Sequence, residues 1–287
     1  MISNSASGLL VSFGRHTLRV DSDSPQILQA FQIHLRHCPV QADSEPIAEF
    51  QVNAIETGFN ISVDGGVLFS NLNFDFTLQT LLTEVISRLV AICERGLVIH
   101  AAALAWDGNA VILSAQGGSG KSTLAAWLTA DGFQYLTDEV IEIPLGRQPS
   151  TRNLQLHTFP RSVFLKSGSA FVWQKRLTQT DSPNFLRFSD DAAWIDPQLL
   201  NPMPPAAQAN PRLLVFPRYV ADTPLQPQKL TTGQTLFRIL QNVTNARNLP
   251  RHGLDAATGL AQQVTAYNLT YSNLEEASEW VKEKLKG

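Results

Sequence analysis

Residues 115–123 read AQGGSGKST, between an apolar run, AVIL, and a helical pattern, LAAWLTA. Glycine, lysine and hydroxyl side chains at this spacing can hold a polyphosphate. A glycine-rich turn from a buried strand into a helix aims several backbone N–H groups at one point, which also receives the positive end of the helix dipole. Gly117, Gly118 and Gly120, with Ser119 among them, let the main chain approach phosphate oxygens closely. Lys121 would reach the terminal phosphates, the Ser122 hydroxyl would ligate Mg²⁺, and Thr123 follows in the first turn of the helix. The pattern G-x-x-x-x-G-K-[ST] asks for glycine where this chain has Ala115. That position governs loop curvature more than chemistry, and alanine is the smallest non-glycine residue. The competing explanation is a Gly/Ser-rich turn that merely opens a helix. A strand before it and a helix after it favour the phosphate site.

Asp138 and Glu139 follow the next apolar strand, in FQYLTDEV. Phosphoryl transfer needs carboxylates for the metal, and often one to accept the proton of the attacking hydroxyl. An acidic pair alone is usually a solvated turn; behind a phosphate loop it is placed for both tasks. His100, in LVIHAAAL, lies in an apolar strand expected beside the loop strand. A lone histidine there is more often a satisfied core residue, but it can also bind phosphate as the imidazolium or orient a carboxylate. Arg161, Lys166 and Arg218 stand in apolar, proline-flanked contexts (FPRSVFLKSG and VFPRY). Such cations could neutralise phosphoryl charge, or could simply be exposed beside turns.

These residues need a scaffold. The chain has 287 residues, 44% of them hydrophobic and 16% charged, so it can bury a sizeable core and is not disordered. A formal net charge of −3 gives no support for nucleic acid as the main partner. No apolar stretch is long enough to span a bilayer, and MISNSASGLL lacks the basic start and apolar run of a signal peptide. The expectation is a cytoplasmic protein with no membrane partner. The two cysteines, Cys38 and Cys93, read as buried thiols rather than a bridge.

The first part of the chain predicts a hairpin about Gly14-Arg15, a helix over 26–36, and alternating strands around Asp64-Gly65-Gly66. Apolar spacing then predicts a helix over 76–95, stopped at Gly96. The order beyond is strand, turn at Asp107-Gly108-Asn109, strand, glycine loop, helix over 121–130, and strand. NPMPPAAQANP, residues 201–211, reads as a connecting or lid loop. RLLVFPRYV reads as a strand, TTGQTLFRILQNV as a helix, TAYNLTYS as a last strand and NLEEASEWVKEKLKG as a closing helix. The fold class expected is α/β (α+β), with a small α+β unit over 1–72 and a P-loop domain with a mixed sheet over 73–287.

The block GLVIHAAALAWDGNAVILSAQGGSGKSTLAAWLTADGFQYLTDEVIEI resembles the HPr kinase/phosphorylase superfamily, whose catalytic domain is related to phosphoenolpyruvate carboxykinase, and more closely its stand-alone HPr-kinase-related branch. PRSVFLKSG, PRLLVFPRY and YNLTY support it. The resemblance runs from about residue 9 to the end and is densest over 96–143. It implies that Gly118, Gly120, Lys121 and Ser122 bind the phosphates of ATP and Mg²⁺, that His100 is the active-site histidine, and that Asp138 and Glu139 supply metal binding and the general base. The bifunctional enzymes carry two aspartates there, whereas this chain has Asp-Glu, so either carboxylate could be the base. The substrate-binding stretch of true HPr kinases is not found after VIEIP. Relatives in this branch occur beside peptide-modifying systems, where they phosphorylate a serine. The implied activity is an ATP- and Mg²⁺-dependent kinase acting on a hydroxyl of a peptide, protein or small molecule, with a homo-oligomer possible. The alternative is a catalytically silent nucleotide-binding regulatory or scaffold protein, which the altered first loop position and the missing acceptor signature favour.

Overall fold

The computed structural model describes residues 8–41, 44–145, 155–177, 182–189, 192–206 and 208–286. The chain forms two compact units, Met1–Cys93 and Glu94–Gly287.

The first unit is a five-stranded sheet with two helices: β1 (Leu9–Phe13), β2 (His16–Ser22), α1 (Pro25–Leu35), β3 (Glu49–Ile55), β4 (Gly58–Val63), β5 (Gly66–Leu72) and α2 (Phe74–Ala91). The strands lie in chain order, antiparallel except that β2 and β3 run parallel across the α1 crossover. Ser24 caps α1 by accepting from the Ile27 amide, with Pro25 in the first turn, where its missing N–H costs nothing. Both helices pack on the sheet. Their apolar stripe (Phe31, Leu78, Leu81, Val85) meets Leu18, Val20, Phe50, Val52 and Ile61, all buried. Asn73 caps α2 by accepting from the Phe76 amide. The helix therefore starts at Phe74 and ends at Ala91, not at Arg95, and Gly96 opens the next strand. Because α2 covers this sheet, the first compact unit runs on past residue 72.

The second unit is mixed α/β. Its strands and helices are β6 (Gly96–His100), β7 (Ala102–Trp106), β8 (Asn109–Leu113), α3 (Lys121–Ala130), β9 (Gln134–Thr137), β10 (Val140–Pro144), β11 (Leu156–Thr158), β12 (Val163–Leu165), α4 (Ala170–Arg176), β13 (Phe185–Ser189), β14 (Ala192–Ile195), α5 (Pro197–Leu200), β15 (Gln208–Tyr219), β16 (Gln226–Lys229), α6 (Thr232–Leu240), α7 (Leu254–Gln263), β17 (Thr265–Tyr271) and α8 (Leu274–Lys286). The main sheet has nine strands, in the order β6-β10-β11-β15-β8-β7-β9, with β17 beside β15 and β16 beside β17. A second sheet pairs β12, β14 and β13. Asp107 and Gly108 both take positive φ, as a two-residue β7–β8 hairpin requires.

The pairing path returns on itself. β6 runs into β7 through Ala101 alone, and β9 runs into β10 through Asp138 and Glu139. His100 pairs with Val140 and Ala103 with Thr137, which is one antiparallel register carried across both breaks. That register sets Ala102 opposite Asp138 and Ala101 opposite Glu139, and the Ala101 amide donates to the Glu139 carbonyl at 3.2 Å. FQYLTDEVIEI is therefore two strands with the acidic pair at the bend between them.

Strand alternation sorts the core into two layers. Ala102, Leu104, Val111, Leu113, Leu213 and Val215 face one side, with Leu124, Leu128, Ala277 and Val281 from α3 and α8. Ala103, Ala105, Ala110, Ile112, Leu214 and Phe216 face the other, with Ile239 and Leu260 from α6 and α7. Residues 201–206 are a connection, as composition implies, but Gln208–Pro211 belong to β15. Ala209 pairs with Leu156 and Pro211 with Ala110, and a register shift between Pro211 and Leu213 absorbs the proline. The capping box at the start of α6, Thr231 with Gln234, fixes the helix read from TTGQTLFRIL. Cys38 and Cys93 are both buried, and neither forms a disulfide among the described residues. Among the described residues no helix is long and apolar enough to cross a membrane.

Candidate active site

The glycine loop leaves β8 under close control. The Ser114 amide donates to the Val215 carbonyl at 3.0 Å, and its hydroxyl donates to the His100 carbonyl at 3.3 Å. Gly118 and Gly120 sit at φ of +81° and +87°, where a side chain would be strained, whereas Ala115 has no positive φ. The alanine that breaks the sequence pattern occupies a backbone conformation open to any residue. Gly120 caps α3 with no side-chain hydrogen bond. The first-turn amides of Lys121, Ser122 and Thr123 therefore have no acceptor inside the helix and lie at its positive end. A Cβ on Gly117 or Gly118 would meet nothing within 4 Å, so the loop borders open space. The Ser119 hydroxyl oxygen is buried with no partner among the described residues. The Thr123 hydroxyl shares a 2.7 Å hydrogen bond with Ser169.

Lys121 turns from this loop to the acidic bend. Its ammonium donates to Asp138 Oδ1 at 3.2 Å and to the Asp138 carbonyl at 3.4 Å. The side chains are 8% and 1% exposed, so the pair is shielded from water.

Glu139 belongs to a second cluster. Arg161 donates through Nε to Glu139 Oε2 at 2.9 Å and through Nη2 to the same oxygen, and through Nη1 to the Ser162 carbonyl at 2.9 Å. Arg161 reaches the bend because its segment is laced to β9. Tyr135 donates to the Arg161 carbonyl at 2.8 Å, and Thr137 donates to the Phe159 carbonyl at 2.7 Å while accepting from the Glu139 amide at 3.1 Å. Burial pushes the Glu139 carboxyl up, but Arg161, then His100 and Lys121, outweigh it and leave the pKa below its ordinary value. For Arg161 burial opposes the charge, and Glu139 and Asp138 more than offset it, so its pKa is raised. His100 Nδ1 lies 3.9 Å from Glu139 Oε1. Burial, then Lys121, lower the His100 pKa more than Glu139 and Asp138 raise it, which favours the neutral imidazole.

The structure thus brings His100, Lys121, Asp138, Glu139 and Arg161 to one place at the mouth of the glycine loop. Ser122 and Thr123 lie half-buried in the first turn beside it. Arg218 does not join them: it is exposed, and alternation along β15 puts it on the side of Phe216, the face that carries α6 and α7. Lys166 is exposed after β12. Two residues unmarked by the sequence do touch the loop. The Tyr219 amide donates to the Ser119 carbonyl at 2.9 Å, and the Tyr271 hydroxyl donates to the Gly120 carbonyl at 3.1 Å. The only trace in the sequence is a tyrosine at the end of each of two strands, which the parallel β15–β17 pairing sets side by side.

No protein-family model matches this chain, and no curated protein matches it. Among solved structures, the HPr(Ser) kinase/phosphatase from Coxiella burnetii is similar over 66% of this chain and 99% of that chain, at 14% identity and a TM-score of 0.34.

Proposed function

We propose that this chain is an ATP- and Mg²⁺-dependent kinase that transfers a phosphoryl group to a hydroxyl, a serine of a peptide or protein or a small molecule. The observation that carries this reading is the buried Lys121–Asp138 pair at the head of a glycine-loop helix, with Glu139, Arg161 and His100 beside it. Phosphoryl transfer asks a protein mainly for positioning and for charge aimed at the phosphates. The loop amides and Lys121 would hold the phosphates of ATP, which supplies the transferred group. Ser122 with Asp138 or Glu139 would hold Mg²⁺. Among the described residues no group of three or more His, Cys, Asp or Glu could hold a metal, which suits a cation bound by one or two carboxylates together with nucleotide phosphates.

The two carboxylates have different surroundings. Glu139 is held ionised by Arg161 and orients that guanidinium, so it is the weaker proton acceptor. Asp138 is tied through its side chain to Lys121; once Lys121 turns to phosphate, Asp138 is free to accept the hydroxyl proton. A neutral His100 beside Glu139 can accept or donate one hydrogen bond as the acceptor enters.

The silent-scaffold reading has one observation in its favour, since both carboxylates already sit in ion pairs. Titration with Mg-ATP, then incubation with Mg-ATP and serine peptides, free serine or HPr, separates the two. A mass gain of one phosphoryl group on an acceptor, lost in Lys121→Ala, supports the kinase. Binding without transfer to any acceptor supports the scaffold, and undiminished transfer by Lys121→Ala overturns the site.

A further inference from the structure

The glycine loop is held from behind by the two strand-end tyrosines. Gly120 is the pivot, because its carbonyl must start the helix by accepting from the Leu124 amide at 2.9 Å while its φ is +87°. The second lone pair of that carbonyl takes the Tyr271 hydroxyl. One residue earlier, the Ser119 carbonyl takes the Tyr219 amide. The tyrosine rings meet edge to face with centroids 5.9 Å apart. A Cβ on Gly120 would lie 2.6 Å from the Tyr271 oxygen and 3.1 Å from Tyr219 Cβ.

An anion-binding loop works only if its carbonyls are turned away from the anion, because each one facing inward cancels the attraction of an N–H group. We propose that Tyr271 is a positioning residue of the phosphate loop: with the Tyr219 amide it ties the Gly120 and Ser119 carbonyls to the sheet, so that the loop amides are presented before any ligand arrives. This rests on the phosphate-site reading above and adds to it the residue that preorganises the loop. Tyr271 is 1% exposed, and burial raises the pKa of its hydroxyl, which keeps the proton needed to donate. The donor stands on β17, which pairs along its whole length with β15, so the clamp is anchored in the sheet rather than in another loop.

The test uses Tyr271→Phe, which removes one oxygen and leaves the ring in the core. Mg-ATP and inorganic triphosphate are the probes, because they share only the phosphates. The expected result is a melting temperature close to native and affinities for both probes weakened by the same factor, about five- to tenfold, which is the scale of one lost hydrogen bond. Amide exchange over residues 115–123 without ligand should be faster in Tyr271→Phe. A folded variant that binds both probes as tightly as the native chain removes the role of Tyr271 and leaves the phosphate site standing. A native chain that binds neither probe removes the phosphate-site reading and this proposal with it. In the unaltered, ligand-free protein the amides of Leu124 and Tyr219, which donate to the clamped Gly120 and Ser119 carbonyls, should exchange slowly. Exchange of both at the rate of an unprotected amide overturns the clamp whatever the variant does.

Discussion

The ammonium of Lys121 lies 3.2 Å from Asp138 Oδ1, and both side chains are almost wholly buried. Lysine at the start of a helix and aspartate at a strand bend thus share one charge-assisted contact inside the unit. A buried pair contributes little net stability as a whole, but removing one partner strands the other charge.

Lys121→Ala should therefore do two things. It should abolish phosphoryl transfer, and it should lower stability by about 3 kcal/mol, the scale for an uncompensated buried charge. Lys121→Met combined with Asp138→Asn removes both charges and keeps the volume. That double variant should recover most of the stability in a denaturant melt while remaining inactive. Recovered activity in it would show that the pair is structural only.

The pH dependence follows from His100 and Glu139. The folded chain lowers the His100 pKa from its ordinary 6.5, so the unfolded chain takes up that proton first. Stability from this group is full above about pH 6.5 and falls as pH drops through the lowered folded value. Glu139 is lowered from 4.5, so its contribution is full above that pH and is lost on further acidification. Both act in the same direction. Melting temperature should fall from pH 7 to 5, and fall again below pH 4.5. His100→Gln should flatten the first segment and leave the second. Arg161→Ala removes the main charge opposing the effect of burial on Glu139, so burial then dominates, the folded pKa rises, and the Glu139 contribution reverses: it adds stability on acidification instead of losing it. An unchanged profile in both variants would contradict the cluster.

The loop glycines should not be equivalent. Gly120→Ala places a Cβ against Tyr271 and Tyr219 at a positive φ, and should weaken Mg-ATP binding by at least tenfold and lower the melting temperature. Gly117→Ala adds a methyl to open space at an ordinary φ, and should leave the melting temperature within a degree or two. Ala115→Gly should leave the affinity within about twofold, because the native backbone there needs no glycine. Isothermal titration of the purified variants reads the affinities, and a thermal melt of each reads the stabilities.

Much of this was legible in the sequence for physical reasons. Apolar period and turn residues located β6 to α3, since the AVIL strand, the glycine run and the LAAWLTA helix are each fixed by neighbours within a few positions. The carbon-free side chains of Gly118 and Gly120 announced a backbone that other residues avoid. The charges of Lys121 and the acidic pair, and their places after the loop and after a strand, could be read from residue type and spacing alone, as could the hairpin turns that set strand ends.

Only the tertiary structure decided which residues meet. Arg161 and Arg218 look alike in sequence, each beside a proline in an apolar run. Two hydrogen bonds from β9 to its segment bring Arg161 to Glu139, whereas the alternation of β15 turns Arg218 to the side of Phe216. Tyr271 reaches Gly120 across 151 positions because β17 pairs with β15, and parallel strand pairing between distant segments leaves no local trace. The acidic bend reads as one strand in sequence, because a break that keeps its register costs no change in residue pattern. Local physics wrote the loop and the charges that suit it; the closed path of the sheet decided which charges share a pocket and which carbonyls the tyrosines hold.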